Sequence, residues 1–370
     1  LAVDSFGQIY VADSANHRIR RISPVGVVST HAGKGSIGFA DGAKTNAQFN
    51  YPSGIAFDND GNLFIADRDN HLIRRIAAGS AGGVSTVAGG SGQAGFIDAT
   101  GTDARFSSPV AIAIDGNNNL YIADKNNRRI RKITIATRVV STVAGSGTDG
   151  ARNGIAETAT FRCPTSLTLD NIGNLVVADR DAHALRRIVI TNLSVTAGVS
   201  GTDVQGRLDA AQLGIQTYTD YYVRWVDVDA GTTQNRGLTF NLVEAPVVAT
   251  REAAVSPTTG WINGTVDPRQ SQTDVVFRYS TDANLLGPLK VDTVATFTST
   301  PVAMVRDDAG NIYVASRDSH KITKILPDGT ALDFTGSGEA GFADGLGSQA
   351  QFDTPSDLAI DSSGNIYVAD

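Results

Sequence analysis

The chain has 370 residues, of which 41% are hydrophobic and 19% are charged, a balance typical of a soluble globular protein. Its formal net charge of −7 disfavours a general nucleic-acid binder, because such proteins bind by neutralising phosphates. No run of about 18 apolar residues is present, so no membrane segment is expected. The single cysteine, Cys163, excludes an intramolecular disulfide framework.

One pattern, two apolar stretches joined by a polar turn, recurs along the chain. Its first copy, GQIYVADSANHRIRRI, occupies residues 7–22, and a last, shorter copy begins at Gly364. The copies are about 55 residues apart, with one long interruption after the fourth, and this period predicts a repeat architecture. Leu1 lies within a repeat, so we expect the sequence to be part of a longer chain. The intervening copies occupy residues 61–76, 118–133, 173–188 and 310–325.

Each repeat contains four short apolar segments. In the second copy they cover residues 52–58, 63–66, 72–76 and 84–88. Short β-branched runs bounded by glycine, asparagine and aspartate are typical of strands, and the turn at 59–62 carries the residues that a hairpin requires. Four antiparallel strands per repeat, arranged around an axis, are the sequence signature of a β-propeller.

The full pattern, P-x-G-I-A-x-D followed by G-N-L-Y-I-A-D-x-x-N-H-x-I-R-R-I and V-S-T-V-A-G, resembles the NHL-repeat family of β-propellers. The resemblance implies an all-β fold, an NHL-type β-propeller with five full four-stranded blades and a truncated sixth. Blades one to four are predicted in residues 1–213, and blade five with the first half of blade six in 301–370. The name-giving Asn-His pair is kept at 16–17 and 70–71 and drifts to Asn127-Arg128, Ala182-His183 and Ser319-His320.

Residues 214–300 interrupt the repeats and differ in composition. They contain both tryptophans and four of the nine tyrosines. The segment 220–246 resembles the last two strands of a fibronectin type III-like domain, and 260–282 resembles its early strands. We favour an inserted fibronectin type III-like, β-sandwich-like module. The remains of two modules and a divergent blade are the alternatives.

The recurring histidines and aspartates invite a metal-binding interpretation. Four of the five histidines occupy the same place in the repeat, and imidazole is a common metal ligand. A metal site needs ligands that converge on one point, however, whereas a structural role recurs once per repeat. Turn formation is likewise favoured over calcium binding for the aspartates, and no metal or cofactor is expected. The predicted structural motif residues are Asp13, Asn16, His17, Asp67, Asn70, His71, Asp124, Asn127, Asp179, His183 and His320.

The third strand of each repeat is basic. Arginines equivalent to Arg74 recur with aspartates equivalent to Asp67 in the same motif. Arg–carboxylate pairing between blades is therefore favoured over RNA binding. Propeller enzymes of similar topology, the amidating lyases and gluconolactonase-type lactonases, place metal ligands on their innermost strands. At the corresponding positions of this chain only Asp357 is a plausible ligand, so no catalytic residue is predicted.

In a propeller, the connections between blades and the turns between second and third strands lie on one face, called here the loop face. Loops displayed by a rigid scaffold commonly carry binding residues. The insert is expected to follow blade four and to rise from this face. For the recurring phenylalanines, we favour the alternative that their side chains point inward and seal the rim of the propeller. The candidate binding residues in the repeated G-F-x-D loops are Phe39, Asp41, Phe96, Asp98, Phe342 and Asp344.

Together these patterns predict a non-catalytic β-propeller scaffold that binds a protein or a glycan through its loop face. A secreted or cell-surface bacterial protein is favoured, with no nucleic-acid partner. Two alternatives stay open. One is a metal-dependent propeller enzyme similar to the amidating lyases or lactonases, and the other is an extracellular sensor domain of a larger receptor.

Overall fold

The chain divides into two compact units. The propeller unit comprises Leu1–Val189 and Pro288–Asp370, and the inserted unit comprises Ile190–Gly287. Within the described ranges, no helix is long and apolar enough to cross a membrane. The computed structural model describes residues 1–79, 81–90, 92–171, 173–190 and 289–370, together with the backbone of short strands between 193 and 280.

The propeller unit is built from antiparallel sheets whose strands pair in chain order, from an innermost first strand to an outermost fourth strand. Among the described residues five such sheets, or blades, are present, and their first strands adjoin one another in chain order. The all-β propeller arrangement predicted from the repeat is therefore confirmed. The strands are Ala2–Val3, Ile9–Asp13, Arg18–Ile22 and Val28–Ala32 in blade one; Pro52–Phe57, Leu63–Asp67, Leu72–Ile76 and Val84–Ala88 in blade two; Pro109–Ile114, Asn119–Asp124, Arg129–Thr134 and Val139–Ala144 in blade three; Pro164–Leu169, Leu175–Asp179, Ala184–Ile188 and Lys290–Thr296, with the short edge strand Gly154–Ile155, in blade four; and Pro301–Arg306, Ile312–Ser316, Lys321–Ile325 and Ala331–Thr335 in blade five.

A two-stranded sheet, Asp357–Ile360 with Ile366–Ala369, follows blade five. Its first strand contacts the first strand of blade five on one side and that of blade one on the other, so the innermost strands surround a central channel. Neighbouring blades approach closely at this hub. A Cβ on Gly54 would lie 2.5 Å from Cα of Ala111, so no larger residue fits at this place without a backbone shift.

The hydrophobic core lies in the seams between neighbouring blades. The second strand Leu63–Asp67 is buried along its whole length, because it is covered on both of its faces. In the seam between blades two and three, Phe64 and Val87 of one blade pack with Leu120 and Ile133 of the other. Separate apolar cores of this kind also lie between blades one and two and between blades four and five.

The turn between the second and third strands and the loop entering the blade lie on the same face. In blade two the side chain of Asn70 donates a hydrogen bond to the carbonyl of Gly38 in the entering loop (2.7 Å). The loop face thus comprises these turns and the connections at 33–51, 89–108, 145–163 and 336–354. The 3-10 turns are Ser14–Asn16, Arg68–Asn70, Lys125–Asn127 and Arg180–Ala182 within blades, and Gly101–Asp103 and Gly347–Gln349 in connections.

The outermost strand of blade four comes from the part of the chain that follows the insertion. Lys290–Thr296 pairs with the third strand, with Val291 opposite Ile188. The predicted boundaries, 214–300, placed this strand inside the insert, whereas the inserted unit covers Ile190–Gly287 because the chain leaves the blade after its third strand. The insertion therefore replaces the connection between third and fourth strands. The chain therefore leaves and rejoins blade four at the end opposite to the loop-face turn, and the expectation that it does so in the connection after blade four is corrected.

The inserted unit contains short antiparallel strands, which form two sheets in the backbone that is described. The predicted fibronectin-like segments, 220–246 and 260–282, lie largely outside the described residues. That assignment accordingly stays a prediction. The strands are Leu193–Ser194, Val276–Ser280 and Tyr222–Arg224 in one sheet, and Gly198–Ser200, Asp203–Asp209, Thr259–Thr265 and Val243–Glu244 in the other.

Candidate functional site

Each turn between second and third strands places one residue in the left-handed backbone conformation. In blade two the second strand ends at Asp67, one 3-10 turn follows, and His71 has a φ of 60°. Histidine and asparagine adopt this conformation more readily than most residues, which explains part of the Asn-His signature. Blade three uses Arg128 at a φ of 52°, so the conformation is kept where the residue changes.

The recurring histidines bond to the chain that enters the next blade. Nδ1 of His71 accepts a hydrogen bond from the backbone amide of Ser108 (3.1 Å), directly before the first strand of blade three. Each histidine thus faces the backbone of the following connection, the kind of contact that a structural role requires. In the described part of the chain, no group of three or more His, Cys, Asp or Glu could hold a metal ion. The equivalent bonds join the Tyr51 amide to His17 (3.2 Å), the Thr354 amide to His320 (3.2 Å) and, with the donor reversed, His183 to the Ser299 carbonyl (3.1 Å).

A buried arginine anchors the loop that enters blade two. The guanidinium of Arg74 is fully buried and forms ion pairs with Asp67 (2.8 Å), also fully buried, and with the half-exposed Asp41 (2.6 Å). It also donates hydrogen bonds to the carbonyls of Gln48 (3.1 Å) and Ala40 (3.0 Å). A buried charge needs such partners, because its removal from water is costly. The guanidinium therefore joins the second strand and the entering loop into one network.

Burial dominates the electrostatics of the central carboxyl in this network. It raises the pKa of Asp67 to about 6, although the Asn50 amide, the Asn70 side chain and the Arg74 guanidinium act in the opposite direction. In blade three, burial likewise raises the pKa of Asp124 to about 6. Both carboxyls are fully buried, so they serve the network and are out of reach of a ligand.

The network recurs in the blades that have a long entering loop. In blade three Arg131 pairs with Asp124 (2.9 Å) and with Asp98 (2.5 Å). In blade four Asn153 takes the place of the loop aspartate and accepts a hydrogen bond from Arg186 (2.7 Å). The predicted pairing between blades is corrected, because these pairs lie within a blade and to the loop that enters it. The other bonds of the motif are Asn16 to Asp13 (2.9 Å), Asn70 to Asp67 (2.8 Å), Asn127 to Asp124 (2.7 Å) and Arg186 to Asp179 (3.2 Å).

The candidate loop-face residues occupy different environments. Asp41 and Asp98 belong to the ion pairs described above, whereas Asp344 is exposed. The side chains of Phe39 and Phe342 are 52% and 97% exposed. The expectation that the phenylalanines of the G-F-x-D loops seal the rim is therefore wrong. The third of them, Phe96, is 43% exposed and stacks over the guanidinium of Arg129 (3.7 Å to the ring centroid).

A different set of phenylalanines seals the rim. Phe49, Phe106 and Phe161 are fully buried, and each ring lies beneath the buried arginine of its network. They were not predicted from the sequence, because the repeated G-F-x-D pattern lies in the glycine-rich part of the loop. The signal was present, since each precedes by three residues the proline that opens the next blade, as Phe49 precedes Pro52.

The innermost strands enclose a channel of about 370 Å³. Most of its lining is backbone with small or aliphatic side chains, and the polar side chains among the described lining residues are Ser166, Thr168, Arg306 and Asp357. Asp357, the ligand candidate singled out from the sequence, is among these lining residues. In the part of the chain that is described, the channel lining therefore contains one carboxylate and one guanidinium.

Matches to family models agree with this geometry. The model described as the teneurin NHL domain matches residues 39–134, and the NHL-repeat model matches residues 1–22. Both support an NHL-repeat propeller as the class of fold.

Similar proteins extend the same relationship. The Arabidopsis thaliana protein SUPPRESSOR OF QUENCHING 1, chloroplastic, is 25% identical over 334 residues, which cover 86% of this chain and 29% of that protein. NHL repeat-containing protein 2 of Bos taurus is 30% identical over 143 residues, which cover 36% of this chain and 20% of that protein. This chain thus spans less than a third of the length of either relative.

A solved structure assigned as a gluconolactonase superimposes with a TM-score of 0.51 over 98% of this chain and 81% of that chain, at 11% identity. At that identity the likeness shows the propeller fold alone.

Proposed function

We propose that this NHL-repeat propeller is a non-catalytic scaffold that binds a protein or glycan partner through its loop face, and we favour a protein. One observation carries the proposal. Apolar side chains are exposed on loops whose backbone is anchored by buried ion pairs. Protein interfaces place aromatic and aliphatic side chains of this kind at their centres, where they contribute most of the affinity.

The two loops with complete networks present these side chains in the same order. Ile37 and Phe39 are 62% and 52% exposed, and they precede Asp41, which is bound to the buried arginine. In the next connection the exposed Phe96 precedes the bound Asp98. A loop ordered in advance loses less conformational entropy on binding. Both loops are therefore suited to recognition without rearrangement.

Two finer assignments belong to the same proposal. We interpret the sheet formed by Asp357–Ile360 and Ile366–Ala369 as the first half of a sixth blade, because its first strand lies between those of blades five and one. For the inserted unit we propose a fibronectin type III-like, β-sandwich-like module. The composition of residues 214–300 and the resemblance of the segments 220–246 and 260–282 support this assignment.

The test compares two exposed apolar surfaces of the propeller unit. Phe39→Ser combined with Phe96→Ser removes aromatic side chains from the loop face. Val25→Ser, the control, removes an 86% exposed side chain from the turn between third and fourth strands, on the opposite face. Each protein is screened against a displayed random-peptide library and a glycan array. We expect selected peptides to bind the wild type and the control alike, and the loop-face variant about 10-fold more weakly.

Other outcomes decide against parts of the proposal. Peptides that bind all three proteins equally would place the binding surface elsewhere, and ligands found on the glycan array alone would assign a glycan partner. Metal analysis of the same preparations tests the enzymatic alternative. One tightly held metal per chain that is lost in Asp357→Ala, together with lactone hydrolysis, would overturn the scaffold function.

A further inference from the structure

A β-bulge in the fourth strand of each blade directs one side chain toward the seam with the next blade. In blade one this residue is His31, between Thr30 and Ala32, which pair with the third strand. Among the five blades described, blade one alone has a basic group at this place. The equivalent residues of blades two to five are Val87, Val143, Val294 and Phe334.

A second basic residue departs from the repeat in the same seam. The carbonyl of Lys44 accepts a hydrogen bond from the amide of Gly33, the glycine that follows the fourth strand (2.8 Å). This bond recurs in the other connections and identifies the equivalent residues. They are Gly101, Ala156 and Gly347, none of which has a polar side chain.

Both residues line one cavity of about 730 Å³ between blades one and two, which also includes Arg21 and Tyr10. The ring of Tyr10 meets the imidazole of His31 edge to face, 4.9 Å between centroids. In the seam between blades two and three, the residues equivalent to His31 and Tyr10 are Val87 and Phe64, and both belong to the apolar core. A volume of several hundred Å³ is typical of sites for small organic molecules.

The carboxylates around this cavity already have donors. Asp4 accepts hydrogen bonds from the backbone amides of Phe6 and Gln8 (both 2.9 Å). Asp58 accepts them from the amides of its own turn (2.7 and 3.0 Å), and Asp60 is exposed at the rim. Equivalent aspartates occupy the same turns in other blades, so the acids belong to the repeat, whereas His31 and Lys44 are additions to it.

The basic groups have no carboxylate partner. Within the described ranges neither Arg21 nor Lys44 forms an ion pair; Arg21 interacts with the hydroxyl of Tyr10, and Nζ of Lys44 donates a hydrogen bond to the Gly79 carbonyl (2.8 Å). Burial, together with the nearby charges of Lys44 and Arg21, lowers the pKa of His31 to about 4, against a smaller opposite effect of Asp4. Burial and Arg21 also lower the pKa of Lys44. A bound anion would offset this repulsion.

We propose that the cavity binds a small organic carboxylate that carries an apolar group. Lys44, Arg21 and His31 bind the carboxylate, and the apolar group packs against Phe57 and the exposed Phe6, which line the same cavity. The site lies in the seam between blades one and two, and its lining includes none of the exposed side chains Ile37, Phe39 and Phe96 that are proposed to bind the loop-face partner.

Benzoate serves as the probe and benzamide as its uncharged counterpart, both titrated against the full chain. His31→Val with Lys44→Ala gives this seam the residue types of other seams, so the variant is expected to fold. Lys34→Ala removes an exposed cation elsewhere and is the control. We expect benzoate to bind the wild type and the control equally and the double variant at least about 10-fold more weakly, with benzamide weaker than benzoate by a similar factor.

NMR titration of the histidine ring protons provides an independent readout, with the His31 signal assigned by its loss in His31→Val. Because the anion favours the charged imidazole, the pKa of His31 is expected to be higher with benzoate than without. Equal binding of benzamide, unchanged binding to the double variant, or a His31 pKa that does not respond to millimolar benzoate would each overturn the proposal. Displacement of benzoate by inorganic phosphate at the same concentration would reject the apolar part of the recognition.

Discussion

Blades two and five have the same four strands and different polar interiors. In blade two, Asp67, Asn70 and Arg74 connect the second and third strands to the entering loop. That loop spans 33–51, whereas blade five is entered through the short connection 297–300. The corresponding residues of blade five are Ser316, Ser319 and Thr323.

This difference separates two tasks of the repeat. The strands form in blade five without any member of the charged network, so the apolar residues of the seams are enough to specify a blade. The network is present where a long loop has to be held. The charged part of the motif is therefore a device for ordering loops, and the four predictions below test that conclusion.

The largest effect is expected from Arg74→Ala. It leaves the fully buried Asp67 carboxyl without its cation, and breaking a buried pair from one side costs about 3–5 kcal/mol. The free energy of unfolding of the propeller unit, measured in guanidinium chloride, should fall by that amount. Thr323→Ala at the equivalent place in blade five is the control and should cost less than about 1 kcal/mol. Similar losses in the two variants would refute the distinction between the blades.

A double variant that gives blade two the residues of blade five should lose less free energy of unfolding than Arg74→Ala does. In Asp67→Ser with Arg74→Thr no buried charge is left alone, so the double variant should be more stable than the sum of the two single variants implies. A coupling energy of about 2 kcal/mol is expected from the complete cycle. Additivity to within about 0.5 kcal/mol would show that the pair does not act as a unit.

A smaller effect is expected from pH. The pKa of Asp67 is raised from 3.8 to about 6 in the fold, so between these values the native state retains protons that the unfolded state has released. The stabilising contribution is complete below about pH 4 and is lost as the pH rises through about 6. Unfolding measured across this range should therefore show a shallower decline for the Asp67→Ser, Arg74→Thr variant than for Thr323→Ala. Parallel curves would rule out this carboxyl as the titrating group.

The smallest effect is expected in blade four, where Ala182 stands at the place of the network asparagine. In blade two Asn70 bonds both Asp67 and the carbonyl of Gly38, so Ala182→Asn should add up to about 1 kcal/mol to the free energy of unfolding. Ser319→Asn in blade five serves as the comparison and should add nothing, because Ser316 stands there in place of the carboxylate. A gain in blade five equal to that in blade four would contradict the proposed network.

Periodicity was sufficient to locate the blades. The segments predicted at 63–66, 72–76 and 84–88 are the strands Leu63–Asp67, Leu72–Ile76 and Val84–Ala88. Short β-branched runs bounded by turn residues have few other folds open to them, and repetition removes accidental matches. The last strand of blade four was missed although Val-Asp-Thr-Val-Ala at 291–295 follows the Val-Ser-Thr-Val-Ala pattern, because the insertion separates it from its repeat.

The candidate sites depended on information that periodicity does not carry. Asp41 and Arg74 are 33 residues apart, and only the path of the loop brings them together. The exposure of Phe39 and the burial of Phe49 depend on the same path. His31 and Lys44 depart from the repeat, but the sequence alone does not show which residues of the other blades are equivalent to them. The bulge and the backbone hydrogen bonds establish that equivalence.

The pairing of Val291 with Ile188 has a consequence for the evolution and engineering of the chain. Because the two strands remain antiparallel neighbours, the points at which the polypeptide departs and returns are adjacent, and the sheet itself supplies the closure. Closing about 100 residues in place of a four-residue hairpin costs roughly 3 kcal/mol of chain entropy, and the fold of the guest does not enter that figure. The connection between these two strands is thus an insertion site. We expect that the inserted domain can be exchanged there, or replaced by a short turn, while the blade sequence stays the same.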